Sequence, residues 1–352
     1  MDVVSAGGLQ AALDPVAPAD AAAFLAARYG IAGRLRRMAT EKDDTFHVDA
    51  GPTGQFVLKI ANAAEDAAEI DLQVAALAHV ALSDPSLPVP RVVPDVAGAP
   101  TCLYEGGRDG RRIARLMTYL EGTPLDRTTS TLPERRTIGR LCGRLRLAMA
   151  GFSHRAEGRL LAWDTQRLPG LAPLLAEIGD RTQHRMLAEG MARFAEIEAQ
   201  LPGLRTQVLH NDFNKSNLIV NHGHPDFVTG IIDFGDTVRT AIAVDLSTAM
   251  MNQMPAGAEE PMMAGPEAVL AGYIETADLT GDEIAILPML MMGRVVTRAL
   301  ISVSRAQRFP ENADYILRHT AQCWYQLDWF LARSTDDIAT TFDAYQTRAI
   351  HP

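Results

Sequence analysis

A histidine, an aspartate and an asparagine occur in the spacing H-x-D-x-x-x-x-N, at His210, Asp212 and Asn217. An apolar segment further on ends in the tripeptide D-F-G, which begins at Asp233. In phosphoryl transfer from a nucleotide, one carboxylate accepts the proton of the attacking hydroxyl, while an amide and a second carboxylate hold Mg²⁺ against the phosphates. The two motifs in this order therefore predict Asp212 as the catalytic base, and Asn217 and Asp233 as metal ligands.

The segment between these motifs has the pattern of a β-hairpin. Two short apolar stretches, residues 218–220 and 228–232, flank the turn-forming sequence at residues 221–226. Such a hairpin would bring Asn217, at the start of one strand, beside Asp233, at the end of the other. The D-F-G tripeptide alone is weak evidence, but the hairpin between the two motifs supplies the structural context that a motif match needs.

A lysine lies in an apolar β-run further upstream. Lys59 occupies the stretch 56–60, where a charged side chain costs free energy unless it has a partner. The preceding stretch 45–49 alternates in polarity, and the turn-forming residues 50–54 join the two. Because a kinase-like site needs a strand lysine to hold the phosphates, we expect Lys59 to be part of the catalytic machinery.

These features together resemble the aminoglycoside phosphotransferase and choline kinase superfamily, the small-molecule relatives of protein kinases. The resemblance runs from about residue 21 to about residue 331 and is nearest to the hydroxylysine kinase branch. It implies an α+β, bilobal protein-kinase-like fold. Residues 1–120 would form a small antiparallel-sheet lobe that binds the nucleotide, and residues 121–352 a mainly helical lobe for catalysis and acceptor binding.

The resemblance also implies roles for further residues. The hinge segment would bind the nucleotide base through its backbone, residues 41–46 would cover the phosphates, and an acidic residue on a following helix would support the catalytic loop. The residues at these positions are Met117, Thr118 and Leu120 in the hinge, Thr45 and Phe46 in the cover, and Asp245 on the helix.

Two positions depart from the family pattern. The family usually has glycine between the motif histidine and aspartate, where this chain has Asn211; asparagine tolerates left-handed backbone, so we expect the turn to be kept. The strand lysine usually pairs with a helix glutamate, where this chain has Gln73, with Glu69 one turn earlier on the same face. Both Gln73 and Glu69 remain candidate partners of Lys59 in the nucleotide site.

The implied activity is Mg²⁺-dependent transfer of the γ-phosphate of ATP or GTP to a hydroxyl of a small amine or amino alcohol, with 5-hydroxylysine as the lead acceptor. Aminoglycoside, choline or ethanolamine, and homoserine kinases are alternatives, and a nucleotide-binding pseudokinase regulator is an alternative of another class. An acceptor bound as a cation would need carboxylates near the catalytic base. Asp236, directly after D-F-G, is our candidate for substrate binding, and Glu259, Glu260 and Asp328 are others.

The composition is that expected of a cytoplasmic enzyme whose partners are a nucleotide and a small acceptor. The net charge of −10 disfavours nucleic acid and anionic membranes as partners, and the three distant cysteines favour a reducing compartment. No basic, apolar leader pattern opens the chain, and the most apolar late stretch, residues 284–296, is too short and interrupted to span a bilayer. A P-loop motif is absent from the sequence, and the oligomeric state stays open.

The remaining patterns predict one small sheet followed by helices. Strands are expected at 89–94, 101–105 and 111–120, and helices at 20–29, 64–82, 133–155, 171–200, 241–254, 265–277, 281–304 and 311–333.

Overall fold

The computed structural model describes residues 15–38, 43–106, 110–318 and 320–346. Its strands are β1 (Arg34–Arg37), β2 (Asp44–Asp49), β3 (Gln55–Ile60), β4 (Val92–Val93), β5 (Cys102–Glu105), β6 (Arg111–Thr118), β7 (Thr123–Pro124), β8 (Thr206–Leu209), β9 (Leu218–Val220), β10 (Val228–Ile231) and β11 (Val238–Ala241). Its helices are α1 (Pro18–Tyr29), α2 (Ala67–Ser83), α3 (Leu132–Ala148), α4 (Arg181–Ala195), α5 (Ile242–Met251), α6 (Ala264–Tyr273), α7 (Gly281–Arg308), α8 (Ala313–Leu317), α9 (Thr320–Leu331), α10 (Thr335–Ala339) and α11 (Asp343–Gln346).

The N-terminal lobe is an antiparallel sheet in the order β1-β2-β3-β6-β4, with β5 also paired to β6. Strand β3 alternates, so Phe56, Leu58 and Ile60 enter the lobe's core while Lys59 points to the opposite face. Helix α1 covers the core face with Leu25 and other apolar residues. The predicted hairpin carrying Lys59 is confirmed, because β2 and β3 pair along their whole length.

The predicted hairpin between the two motifs is also confirmed. Strands β9 and β10 pair antiparallel with Leu218 opposite Ile231, which leaves Asn217 and Asp233 just beyond the ends of the paired segment. Strand β7 adds a third strand to this sheet, and β8 and β11 form a separate pair. The two motifs are therefore positioned by local strand pairing.

Helix α7 is the centre of the C-terminal lobe. It starts in a capping box formed by Thr280 and Glu283 and packs against α4, α5 and α9. Within the described part of the chain, α7 is the one helix long and apolar enough to cross a bilayer, yet 94% of its most apolar window is buried inside the protein. Its apolar character is thus that of a core helix.

Helices α3 and α6 approach each other closely through glycines. A Cβ at Gly139 on α3 would meet the Val269 carbonyl, and a Cβ at Gly272 on α6 would meet the Arg136 carbonyl. Larger side chains at these two positions would force the helices apart. The chain therefore needs glycine here for helix packing.

Two long helices predicted from the sequence are wrong. The stretch predicted at 171–200 contains the end of a 3₁₀ segment (Thr165–Glu177), then α4, then a second 3₁₀ segment (Glu198–Gly203). Proline inside the first segment removes an amide donor, and the Asp180 side chain caps a new helix by accepting the amide of Gln183 at 2.8 Å. The stretch predicted at 311–333 is likewise divided into the separate helices α8 and α9.

Candidate active site

The loop between β8 and β9 folds around the carboxylate of Asp212. Asn217 Nδ2 donates to Asp212 Oδ2 at 2.7 Å and to its carbonyl at 3.0 Å, and Asn214 Nδ2 donates to Asp212 Oδ1 at 2.7 Å. Asn214 in turn caps the following 3₁₀ turn (Lys215–Asn217) by accepting two backbone amides. The structure thus brings Asp212 and Asn217, two of the predicted site residues, into direct contact.

Two buried groups hold this loop in place. Asn211 has a left-handed backbone (φ 61°), as we expected, and its amide donates to Asp245 Oδ1 on α5 at 2.6 Å. His210 Nδ1 accepts the amide of Asp212 at 3.2 Å, which leaves the Nε2 proton to be donated to the Ile232 carbonyl at 3.1 Å. Burial lowers the pKa of His210, so a neutral imidazole joins the two motifs.

The environment of Asp212 makes its carboxylate a stronger base than that of an ordinary aspartate. Its side chain is 23% exposed, and burial together with the nearby charge of Asp236 raises the pKa of the carboxyl to about 6, although Arg294 opposes the rise. Arg294 Nη2 donates to Asp212 Oδ1 at 3.2 Å. A carboxylate with a pKa near the working pH can accept a proton and release it again.

Arg294 is a site residue that our sequence interpretation missed. It extends from the middle of α7, is 2% exposed, donates to the Trp163 carbonyl, and lies with its guanidinium carbon 5.4 Å from the centre of the Trp163 ring. The signal that could have revealed it is a charged residue inside the most apolar stretch of the chain, because such a charge needs a buried partner. The partner proves to be Asp212, 82 positions earlier in the sequence.

Lys59 and Asp233 meet across the gap between the lobes. Lys59 Nζ lies 3.5 Å from Asp233 Oδ1, and this proximity is the main reason that the pKa of Asp233 falls to about 2. Asp233 has a left-handed backbone (φ 62°), and its carboxylate accepts the Gly235 amide at 3.2 Å. The Asp233 side chain is 49% exposed, so an ionised carboxylate faces the gap.

Neither of the two partners that we considered for Lys59 forms a hydrogen bond or an ion pair with it. Gln73 Oε1 accepts from Arg115 Nη2 at 3.0 Å, and Glu69 Oε2 accepts from Arg159 Nη1 at 2.7 Å. Arg115 lies directly opposite Lys59 in the β3–β6 pairing and also donates to Asp43 at 3.1 Å. The neutral Gln73 therefore accepts a hydrogen bond from the buried Arg115, which is a second cation beside Lys59.

The other residues predicted for the nucleotide site lie around this face of the sheet. Thr45 is buried opposite Lys59, whereas the ring of Phe46 is fully buried in the lobe's core, so only the backbone of Phe46 remains available to a nucleotide. Met117 and Thr118 are the last residues of strand β6. The Leu120 side chain packs against Gly230, with its Cδ1 atom 2.9 Å from the point where a Cβ would stand on that glycine. Glu41 and Lys42, in the predicted phosphate cover, lie outside the described residues.

Asn217 and Asp233 suit a hard divalent cation. Their amide oxygen and ionised carboxylate oxygen are the ligand types that Mg²⁺ takes, and Mg²⁺ commonly completes its shell with substrate phosphates and water. The amide nitrogen of Asn217 is held by Asp212, which fixes the identity of its free oxygen. Among the described residues, no group of three or more His, Cys, Asp or Glu side chains forms an all-protein metal cage.

The acceptor side contains more cations than we expected. Asp236 is half-buried and close enough to raise the pKa of Asp212, but Glu260 pairs with Arg135 at 2.5 Å. The other two candidates, Glu259 and Asp328, are exposed. Lys215, in the loop between β8 and β9, is half-buried; burial lowers its pKa, and the charge of Arg135 lowers it further.

Comparison with known proteins agrees with this geometry. A family model described as the phosphotransferase enzyme family matches residues 36–278. The hydroxylysine kinase of Danio rerio is 26% identical over 318 residues, which cover 84% of this chain and 88% of that protein. These findings confirm the superfamily that the sequence motifs indicated.

Two solved structures share the fold. A microcompartment-associated aminopropanol kinase superposes with a TM-score of 0.69 at 20% identity and covers 89% of this chain and 98% of its own. An amicoumacin kinase in complex with AMP-PNP and Ca²⁺ superposes with a TM-score of 0.63 at 16% identity, covering 85% and 91%. The predicted bilobal protein-kinase-like fold is confirmed, and this chain belongs to the phosphotransferase enzyme family.

Proposed function

We propose that this protein is a small-molecule kinase that transfers the γ-phosphate of ATP or GTP to a hydroxyl of a small amine or amino alcohol. The observation that carries the proposal is the environment of Asp212. Its carboxylate is oriented by Asn214, Asn217 and Arg294 and has a pKa of about 6, and its loop leads into the hairpin that ends just before Asp233. An oriented base next to a nucleotide site is what transfer to a hydroxyl requires.

Each group has a separate task in this proposal. Asp212 orients the acceptor hydroxyl and takes its proton as the oxygen attacks the phosphorus. Lys59 neutralises charge on the phosphates, which is the electrostatic part of the rate enhancement. Mg²⁺, held by Asn217 and Asp233, would supply further positive charge to the phosphates when bound. Arg294 favours the ionised form of Asp212 and orients its carboxylate, because it donates a hydrogen bond to one carboxylate oxygen.

The lead acceptor is 5-hydroxylysine. It is supported by the similarity to hydroxylysine kinase along most of both chains, and by the free carboxylate of Asp236 near the base, which suits a cationic amine. Aminoglycosides, choline, ethanolamine and homoserine are the other acceptors to compare. The nucleotide-binding residues proposed with this activity are Lys59, Met117, Thr118, Leu120, Thr45 and the backbone of Phe46. Gln73 and Glu69 would support this face of the sheet through Arg115 and Arg159.

The test is nucleotide consumption by the purified protein with Mg²⁺, run with ATP and with GTP across these acceptors. We expect turnover that depends on the acceptor and is greatest with 5-hydroxylysine. Lys59→Met should lower turnover while the protein stays folded, since the lysine lies at the edge of the gap and not in the core. Nucleotide binding without turnover on any acceptor would overturn the proposal and favour a pseudokinase regulator.

A further inference from the structure

A cluster of polar residues lines the interior of the C-terminal lobe beside Asp212. We call it the acceptor-side cluster and define it as Arg135, Lys215, Asn252, Gln253 and Arg298. Lys215 follows Asp212 by three positions in the catalytic loop. Arg298 follows Arg294 by four positions on α7, which is about 6 Å along the helix axis. Lys215 and Arg298 are thus each joined through a short stretch of chain to the Asp212–Arg294 pair.

Two of the three cations in this cluster lack a carboxylate partner. Arg135 pairs with Glu260 at 2.5 Å and donates to Ser130 at 3.1 Å, so its charge is compensated. Arg298 Nη2 donates to the neutral Asn252 Oδ1 at 2.5 Å. Lys215 and Arg298 are both half-buried and form no ion pair with any carboxylate in the described part of the chain. The charges of Glu260 and Asp126 act on Lys215 from a greater distance and oppose the lowering of its pKa by burial.

This arrangement is costly without an anion. Half-buried cations lose hydration, and like charges close together repel each other. A bound anion between Lys215 and Arg298 would offset both costs, since it would give each cation a partner. The charges of Lys215 and Arg298 therefore favour the binding of a negatively charged group.

Gln253 is a second observation that points to a polar ligand at this cluster. It is 1% exposed, and in the described structure neither its side-chain nitrogen nor its side-chain oxygen has a hydrogen-bond partner. Buried polar groups are paired in the large majority of cases. Gln253 directly follows Asn252, the partner of Arg298. Its backbone carbonyl oxygen and Arg135 Nη1 both lie near the point where a Cβ would stand on Gly265, so Gln253 and Arg135 are neighbours.

We infer that the acceptor-side cluster binds a carboxylate, so that the acceptor is a hydroxylated amino acid whose carboxylate lies between Lys215 and Arg298 and whose hydroxyl faces Asp212. This inference rests on the proposed kinase activity and narrows its substrate class. Asp236, whose charge acts on Asp212, would meet an ammonium group of the same molecule. Choline, ethanolamine and aminoglycosides carry no carboxylate and would leave Lys215 and Arg298 unpaired.

Matched acceptor pairs test the inference without changing the protein. L-Homoserine and 3-aminopropan-1-ol differ only by the carboxylate, as do 5-hydroxylysine and 1,5-diaminopentan-2-ol. We expect calorimetry, with a non-hydrolysable ATP analogue present, to give roughly 10- to 100-fold tighter binding of at least one acid than of its decarboxylated partner. Equal affinity within both pairs, or no binding of either acid, would overturn the inference.

Two variants assign the effect to the cluster. Lys215→Met and Arg298→Gln should reduce the preference for the acid while leaving the affinity for the decarboxylated analogue and for the nucleotide analogue within about twofold. Arg155→Gln removes the same charge from an exposed site and should leave the preference unchanged. Thermal unfolding of each variant shows whether it folds. If Lys215→Met weakens the nucleotide analogue as much as the acid, the cluster serves the phosphates and the inference fails.

The two proposals fail in different ways. The kinase proposal fails if phosphate is transferred to none of the acceptors, whichever of them bind. The carboxylate inference fails if the protein does not discriminate within the matched pairs, even when phosphate transfer occurs.

Discussion

Replacing Asp212, the proposed catalytic base, should remove a pH-dependent cost to stability while it removes activity. Burial and the charge of Asp236 raise the pKa of Asp212 from 3.8 to about 6, even with Arg294 beside it. Relative to the unfolded chain, the folded protein therefore favours the protonated carboxyl. At about 1.36 kcal/mol per pKa unit, the ionised form costs about 3 kcal/mol of stability. Asp212→Asn has the shape of the protonated form and does not titrate, so this pH-dependent cost is absent from its stability.

The sign of the effect sets a pH window. Because the folded-state pKa is the higher one, the folded wild type binds more protons than the unfolded chain between about pH 4 and pH 6. Its stability contribution from Asp212 is therefore full below about pH 4 and is lost as the pH rises through about 6. The free energy of unfolding of Asp212→Asn, minus that of the wild type, should rise by about 3 kcal/mol from pH 4 to pH 8.

The assay is urea unfolding of both proteins, followed by tryptophan fluorescence at a series of pH values. Asp328→Asn removes an exposed carboxylate and serves as the control, with no comparable pH dependence of the difference. Turnover of Asp212→Asn should fall by about 10²- to 10⁴-fold, as expected when a general base is lost, with nucleotide affinity unchanged. A stability difference that is flat with pH, or falls at pH 8, would refute the reasoning from desolvation.

Three further predictions follow from the same contacts. Arg294→Met should move the acidic limb of the pH profile of kcat/KM from about pH 6 to about 1 unit higher, because the cation that favours the ionised Asp212 is gone; an unmoved limb would contradict its role. Asp233→Asn should raise the Mg²⁺ concentration for half-maximal turnover at least about tenfold, measured by metal titration, and an unchanged requirement would remove it as a ligand. Gly139→Ala should lower the free energy of unfolding by about 2 kcal/mol in denaturant titration, since its Cβ meets the Val269 carbonyl, and an unchanged midpoint would show that α3 and α6 can separate freely.

The parts of the site that were predictable are those encoded by nearby residues. Strands β9 and β10 and the turn between them lie within about twenty positions. The apolar stretches and the turn residues therefore indicated that Asn217 and Asp233 would approach each other. The strand carrying Lys59 was visible for the same reason. The predictions of long helices at 171–200 and 311–333 were wrong because the helical spacing of apolar residues continues past the true ends of the helices. In the first stretch it continues through Pro173, where the missing amide donor interrupts the helix.

The sequence by itself determined the fold class and the catalytic motifs, since strand alternation, turn residues and motif spacing are local properties of the chain. Only the tertiary structure decided which charges meet: Arg115 beside Lys59, Arg294 against Asp212, and Lys215 near Arg298. These partners come from elements tens of residues apart, and their pairing depends on how helices and strands pack. Charge interactions in a low-dielectric interior depend on distance and burial, which no pattern in consecutive residues specifies.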